Sequence, residues 1–292
     1  MATEGRRSTG GSAPGSRRNR LLVERAKTYK EMGRLEEAIT DLTEALLLAP
    51  GDDIAWAERG EACRLAHRFD EALFDFDKAI EIDPDYVYAI GSRGQTYMAL
   101  NRFDEAYADF CRALELAPNT TWLLTSRALL FRKTGRYDDA ESDLTRAIAL
   151  DPEDAELHGI RGDLYYDVDR YDEALADFAQ ALRLEPNSVR ALVSRGETYR
   201  MMDRLDEALS DLNHALQLDA GNDRALASRG AILHELDRDE EALADLTRAV
   251  EIDPEYTWAY ARRSEVLRSL GRYEESLTDI NRAMELDAGT EG

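Results

Sequence analysis

Small and large apolar residues recur along this chain at fixed positions of a 34-residue period. Proline marks the period, because five prolines follow one another at intervals of 34 residues and a sixth follows 68 residues later: Pro50, Pro84, Pro118, Pro152, Pro186 and Pro254. A repeat frame that begins at Asn19 gives eight units and ends at Thr290. In this frame, position 27 is alanine and position 24 is a large apolar residue in all eight units. Small and large residues at fixed places predict closely packed elements.

The spacing within each unit predicts two helices. Positions 4, 7, 8 and 11 lie on one side of a first helix at about 100° per residue, as in Ile90, Arg93, Gly94 and Tyr97. Positions 20, 24, 27, 28 and 30 form the apolar stripe of a second helix. Between the helices, position 15 is always Gly, His, Asn or Asp, which are residue types that tolerate a left-handed turn. The fold class is therefore predicted to be all-α.

Positions 7 and 23 each carry the same charged residue in every repeat. Position 7 is arginine eight times: Arg25, Arg59, Arg93, Arg127, Arg161, Arg195, Arg229 and Arg263. Position 23 is aspartate eight times: Asp41, Asp75, Asp109, Asp143, Asp177, Asp211, Asp245 and Asp279. An arginine at the edge of the core can lay its methylenes on the apolar face and turn its guanidinium to a carboxylate. We therefore predict an ion pair between the two helices of each repeat. A row of anion-binding arginines is the alternative.

This helix-turn-helix pattern resembles the tetratricopeptide repeat (TPR) family, whose repeat carries Gly at position 8, Tyr at 11, Ala at 20, Phe at 24, Ala at 27 and Pro at 32. The resemblance implies a right-handed superhelical α-solenoid of eight repeats, with the first helices lining a concave groove. Ala220 and Ala288 replace the proline, and arginine replaces the leucine common at position 7. The expected repeats span 19–52, 53–86, 87–120, 121–154, 155–188, 189–222, 223–256 and 257–290.

The residues outside this frame have a different composition. Residues 1–18 are rich in Gly, Ser and Arg and have almost no large apolar side chain, so a disordered basic tail is predicted there. Residues 291–292 form a short second tail. The first segment has no apolar core like that of a secretory signal, and we expect a cytoplasmic protein. A solubilising start and a weak electrostatic tether both remain open as its role.

Charge restricts the classes of partner. The chain has 37 Lys and Arg against 60 Asp and Glu, a net charge of −23. Such an acidic balance argues against nucleic-acid binding, since neutralising phosphates needs a basic surface. Charged residues make up 33% of the chain, and it has no apolar run long enough for a membrane span. Two cysteines form neither a disulfide framework nor a metal pattern.

The sequence contains no motif that points to catalysis. The four histidines lie in separate repeats without the spacing of metal ligands, and structural roles are expected for them: His67, His158, His214 and His234. No phosphate-binding loop and no nucleophile motif occurs. We therefore expect a protein that is not an enzyme and needs neither cofactor nor metal.

Positions 2, 5, 9, 12 and 13 of the first helix lie away from its core stripe, and in the TPR family this surface faces the ligand. Ten basic and eight acidic residues occupy these positions, so the surface is far less acidic than the rest of the chain. The central repeats carry the larger apolar residues beside basic ones, whereas inner apolar residues elsewhere are smaller or isolated. The predicted partner-binding residues are Tyr88, Met98, Trp122, Leu129, Arg132, Lys133 and Tyr166. The alternative is that these rings pack on neighbouring helices.

The leading hypothesis is a non-catalytic scaffold that binds a segment of a partner protein or peptide in the groove. The alternative is a structural subunit, or a homo-oligomer, that docks through the ends of the solenoid. In that alternative, Leu277, Ile280 and Met284 are left uncovered because no solvating helix follows the last repeat.

Overall fold

The computed structural model describes the backbone of residues 14–290 and the side chains of residues 17–288. The described chain forms two compact units, and the division falls between residues 143 and 144. The helices up to this division are α1 (Pro14–Glu31), α2 (Leu35–Leu48), α3 (Asp53–Leu65), α4 (Phe69–Ile82), α5 (Val87–Ala99), α6 (Phe103–Leu116), α7 (Thr121–Lys133) and α8 (Tyr137–Leu150). The second unit continues with α9 (Ala155–Asp167), α10 (Tyr171–Leu184), α11 (Val189–Met201), α12 (Leu205–Leu218), α13 (Asp223–Glu235), α14 (Asp239–Ile252), α15 (Thr257–Ser269) and α16 (Tyr273–Thr290).

The helices pair as the repeat frame predicts. In each unit an odd-numbered helix packs against the even-numbered helix that follows it, as α3 does with α4 and α13 with α14. The even-numbered helix also packs on the next odd-numbered helix. Consecutive odd-numbered helices touch one another as well, in the series α1, α3, α5, α7 and in the series α9, α11, α13, α15. Each unit therefore has a continuous layer of first helices, which we call the first-helix layer.

The turn inside every repeat has the predicted left-handed residue. Position 15 has a φ between 56° and 74° in all eight repeats, whether it is a glycine such as Gly33 or an aspartate such as Asp169. Close packing between the two helices of a repeat explains why position 8 is often glycine. A Cβ added to Gly162 would lie 2.6 Å from the ring of Phe178, and one added to Gly60 would lie 2.9 Å from the ring of Phe76. The helices of a repeat approach so closely because one of them carries no side chain at the contact.

The predicted arginine–aspartate pair is confirmed in all eight repeats. In each one the guanidinium donates from Nε and Nη2 to the two carboxylate oxygens, over distances of 2.6–2.9 Å. Seven of the eight aspartates are buried. The bidentate geometry fixes the first helix against the second at one point in every repeat.

The remaining nitrogen of this arginine often contacts a third helix. In five repeats Nη1 donates to the side chain at position 25 of the preceding repeat, over 2.6–3.5 Å: Thr43, Asp77, Cys111, Thr145 and Asn213. One arginine thereby joins the two helices of its own repeat to the second helix of the repeat before it. These bonds make the alternative of a free anion-binding row unnecessary.

The first helix begins earlier than the repeat frame. Helix α1 starts at Pro14, so residues 14–18 lie in a helix and not in the predicted tail, while residues 1–13 and 291–292 lie outside the described residues. Proline suits the first turn of a helix because its missing N–H would be unpaired there anyway. Contacts with later helices hold this end, since Arg18 pairs with Glu44 and the Asn19 amide donates to Asp52 over 2.5 Å.

Candidate functional site

An aromatic cluster lies on the first-helix layer of the first unit. The rings of Tyr88 on α5 and Trp122 on α7 meet edge to face with centroids 6.4 Å apart, and Tyr86 lies 6.1 Å from Tyr88. Trp122 packs over Gly91, where an added Cβ would lie 2.3 Å from its ring. All three rings remain partly exposed. The rings therefore pack on neighbouring residues, as the packing alternative predicts, and stay partly exposed, while their role in binding a partner stays a prediction.

Four other predicted residues occupy the same two helices farther toward their C-termini. Met98 and Leu129 are half-buried, Arg132 is half-buried, and Lys133 is exposed. Arg132 and Lys133 lie in the last turn of α7, where positive charge is stabilised by the helix dipole. The structure thus joins Tyr88 and Trp122 directly, and it places the two basic side chains at the end of α7.

The last predicted residue, Tyr166, belongs to the second unit. It lines a cavity of about 260 Å³ together with Arg200, Arg224, Tyr256, Trp258 and their neighbours. Tyr256 and Trp258 stack with ring centroids 6.0 Å apart and an interplanar angle of 28°. The expectation that inner apolar residues outside the central repeats are small or isolated is wrong here. Tyr256 was missed because it ends the preceding repeat at position 34, outside the five positions considered.

Charge pairs surround this aromatic cavity. Arg224 binds Glu197 with two nitrogens, and Ser228 donates to the same carboxylate over 2.8 Å. Arg200 donates from Nη1 to Glu235 over 3.0 Å, while its buried Nε has no hydrogen-bond partner among the described residues. Burial, with the charge of Glu197 nearby, raises the pKa of Tyr256 to about 12, so its hydroxyl stays neutral and can donate. The cavity therefore combines aromatic walls with an arginine donor that is not used within the described chain.

Most other basic residues of the first-helix layer are already paired. Arg64 binds Glu61 through two hydrogen bonds of 2.7 and 2.9 Å, and Lys30 lies 2.6 Å from Glu58 of the next repeat. These pairs use much of the positive charge that the sequence places on this surface.

The histidine and cysteine side chains have structural surroundings. His158 is buried with Nδ1 3.3 Å from Asp177 and Nε2 3.2 Å from the carbonyl oxygen of Pro152. Cys63 is buried, and desolvation raises the pKa of its thiol to about 11, which keeps it protonated and unreactive. Within the described part of the chain, no three His, Cys, Asp or Glu side chains are grouped so that they could hold a metal ion.

Comparison with protein families assigns the repeats. Models of the tetratricopeptide repeat match residues 20–52, 54–86, 87–120, 125–188, 161–223, 223–256 and 259–290, which together are most of the sequence. The chain belongs to the tetratricopeptide repeat family. A search of curated proteins finds no match.

Solved structures show the same TPR fold. A tetratricopeptide repeat protein from Parabacteroides merdae is 19% identical with a TM-score of 0.68, over 86% of this chain and 99% of that one. A chain of the APC/C hetero-tetramer Cut9–Hcn1 is 18% identical with a TM-score of 0.71, over 83% of this chain and 48% of that one. YrrB, described as a TPR protein with an unusual peptide-binding site, is 24% identical with a TM-score of 0.51, over 64% of this chain and 97% of that one.

The last helix of this TPR chain exposes the predicted end surface. Leu277, Ile280 and Met284 of α16 are 54%, 38% and 65% exposed, and Tyr273 in its first turn is 65% exposed. The helix continues to Thr290 through Ala288, which occupies the position of proline in six of the repeats. None of the described helices has both the length and the apolar character that crossing a bilayer requires.

Proposed function

We propose that this TPR chain is a non-catalytic scaffold that binds segments of a partner protein on the first-helix layer of each unit. The observation that carries the proposal is that each of these layers has a half-exposed aromatic cluster. One consists of Tyr86, Tyr88 and Trp122. The other consists of Tyr166, Tyr256 and Trp258 around a cavity of about 260 Å³.

Aromatic and arginine side chains are the residue types that dominate binding energy at protein interfaces. A half-exposed ring loses little conformational freedom on binding and buries much apolar area, whereas most surrounding contacts contribute little. Arg200 lines the cavity of the second cluster and places a guanidinium there that favours a carbonyl or carboxylate of the segment. Arg132 and Lys133 favour an acidic residue or a terminal carboxylate of the segment near the first cluster.

The family supports a binding role. YrrB has the same fold and is described as having a peptide-binding site, and another protein of this fold is a chain of the Cut9–Hcn1 hetero-tetramer. The composition favours a polypeptide partner, because a net charge of −23 repels nucleic acid. The two cysteines are free thiols, which fits the reducing cytoplasm that we propose as the location.

Selection of peptides from a displayed random library on the wild-type chain tests the proposal. Truncation of Trp122 to alanine is expected to weaken the selected peptides by about 2 kcal/mol or more, about thirtyfold in Kd. Phe74→Ala is the matched control, because Phe74 is an aromatic residue of the second helix α4 that is 53% exposed. Its removal is expected to change the Kd less than about twofold.

Two results would contradict binding along the first-helix layer. One is a selection that yields no peptide. The other is an unchanged Kd for both Trp122→Ala and Trp258→Ala, one ring from each cluster, when circular dichroism shows an intact helix content. Either result favours the second candidate function, which is docking through the end surface formed by Leu277, Ile280 and Met284. The exposure of these three side chains is the observation that favours that function.

A further inference from the structure

A second cavity of the second unit has no role in the aromatic clusters. It measures about 240 Å³ and lies where α9 packs beside α11, with Gly159, Asp163, Arg190 and Ser194 among its walls. We call it the Gly159 cavity. Its glycine occupies position 5 of its repeat, which is one of the ligand-facing positions of the first-helix layer.

The cavity exists because no aromatic ring fills the space beside Gly159, whereas one fills the equivalent space in the first unit. In the first unit the equivalent glycine is Gly91, and Trp122 from position 2 of the next repeat fills the space beside it. In the second unit position 2 of the next repeat is Arg190, whose guanidinium lies at the wall of the cavity, bound to Asp163 over 2.6 Å and 3.9 Å from Glu156. Apart from the adjacent backbone of α9 itself, no atom lies within 4 Å of the place where a Cβ of Gly159 would be. The fold can therefore hold a large side chain at this position, and here it supplies none.

A buried hydroxyl in the cavity has no partner. Ser194 is 3% exposed, and its Oγ makes no hydrogen bond with the residues that the structure describes. The equivalent serine of the next repeat, Ser228, bonds to Glu197 over 2.8 Å. Asp163 stands at the position of Glu197 but is one methylene shorter, and Arg190 holds its carboxylate. The unpaired hydroxyl is thus a consequence of a shorter acidic residue, and a ligand that pairs with it removes an unfavourable state.

The charges of the lining determine the ligand. Three carboxylates, those of Glu156, Asp163 and Glu185, line the cavity with one guanidinium, so the lining has a net charge of −2. Arg190 binds Asp163 over 2.6 Å and lies 3.9 Å from Glu156, so among the three only Glu185 has no ion pair with the described residues, and the net negative lining attracts a cation. The volume is below the roughly 300 Å³ at which pockets for whole small molecules begin, so it suits a single side chain. Alanine and phenylalanine carbons complete the wall and suit an aliphatic stem.

We propose that the Gly159 cavity receives a lysine side chain of the segment that binds along the first-helix layer. This proposal rests on the proposed function. The stem of the lysine lies in the space beside Gly159, and its ammonium donates to the Ser194 hydroxyl and to the carboxylates of Glu156 and Glu185. The compact ammonium suits a narrow cavity with scattered acceptors better than the planar fork of an arginine does.

A small cation tests the cavity without any peptide. Titration of n-butylammonium into the full chain, followed by NMR, is expected to shift the amides of Gly159 and Ser194 with a Kd of about 10 mM or lower. The neutral analogue 1-butanol is expected to bind at least about fivefold more weakly. The Gly159→Leu protein is expected to lose these shifts, and it should fold because its new side chain enters empty space. Absence of saturable shifts in the wild-type chain would overturn the proposal.

The selected peptides test whether the cavity is used. Replacing one particular lysine of the peptide by alanine is expected to weaken binding to the wild-type chain at least about tenfold in Kd. The same replacement is expected to change the Kd for the Gly159→Leu protein less than about twofold, because the cavity is then filled. If peptides bind but no lysine of theirs shows this dependence on Gly159, the cavity proposal is overturned while the proposed function stands. A chain that binds butylammonium at the cavity but no peptide would overturn the proposed function, and with it the claim that the lysine comes from a bound segment.

Discussion

At the residue scale, glycine serves opposite purposes in one helix of this chain. Gly162 of α9 faces the ring of Phe178 so closely that an added Cβ would lie 2.6 Å away. Gly159, one turn earlier, faces open space within 4 Å. The first glycine is required by packing within a repeat, whereas nothing in the packing of the described residues requires the second. A glycine inside a helix costs about 0.5–1 kcal/mol relative to alanine, so its presence at position 159 needs another reason. Keeping a cavity open on the first-helix layer is such a reason.

The two glycines give a matched prediction. Gly162→Ala is expected to destabilise the chain by about 1–3 kcal/mol, because the new methyl group overlaps the Phe178 ring and forces the helices apart. Gly159→Ala is expected to stabilise it by about 0.5–1 kcal/mol, because helix propensity improves without a clash. Urea denaturation followed by circular dichroism measures both. Equal changes of the same sign would mean that the cavity beside Gly159 closes in solution.

At the scale of elements, the arginine at position 7 is the main polar connection between helices. Its bidentate pair joins the two helices of a repeat, and its third nitrogen often reaches the second helix of the preceding repeat, as Arg229 does with Asn213 over 2.7 Å. Arg195 lacks that third contact because position 25 of the preceding repeat is Ala179. The pair of Arg195 with Asp211 therefore connects only the two helices of one repeat. Its contribution to stability can be measured there without a contact to the preceding repeat.

Removal of Asp211 tests the connection. Asp211→Ala is expected to cost about 3 kcal/mol, because it leaves the guanidinium of Arg195 at a largely buried site without its carboxylate. Glu207→Ala in the same helix is the control, since Glu207 and its partner Arg204 are 47% and 43% exposed in their side chains. That exposed pair is expected to contribute less than about 1 kcal/mol. Similar shifts of the urea midpoint for both variants would show that the buried pair stabilises the fold no more than the exposed pair does.

The sequence predicts contacts within a repeat much better than contacts between repeats. The helix pairs, the left-handed position 15 and the arginine–aspartate pairs follow from spacings that recur eight times. The contacts of Nη1 were not predicted, because position 25 varies among Thr, Asp, Cys, Ala and Asn. The arginine at position 16 was also overlooked, although it lies over the position-11 ring in five repeats at 4.2–4.6 Å.

The candidate site depends on such contacts between repeats. Tyr88 and Trp122 could be placed on one surface from the periodicity, but the packing of Trp122 over Gly91 depends on two residues of different repeats. The Gly159 cavity likewise depends on the direction that Arg190 takes and on the length of Asp163. Side-chain direction and length decide these details, and the repeat pattern does not encode them.

At the scale of the whole molecule, acidic charge and apolar surface have opposite effects on association. A net charge of −23 keeps copies of the chain apart, and this repulsion is long-range and weakens in salt. The end surface of α16 favours contact, because Leu277, Ile280 and Met284 expose apolar area on one helix. Apolar contact acts only at short range, so the balance between the two effects depends on ionic strength.

This balance gives the prediction for the whole chain. Light scattering at high protein concentration is expected to show a dimer whose population rises with salt, since screening removes the repulsion and leaves the apolar contact. Replacing Leu277 and Ile280 by serine is expected to raise the dimer Kd at least about tenfold, because each removed side chain contributes buried apolar area. Leu47→Ser is the control, since Leu47 is 79% exposed but lies on α2. A chain that stays monomeric in high salt, or a dimer weakened equally by the control, would exclude self-association through α16 and leave these side chains as a surface for another protein.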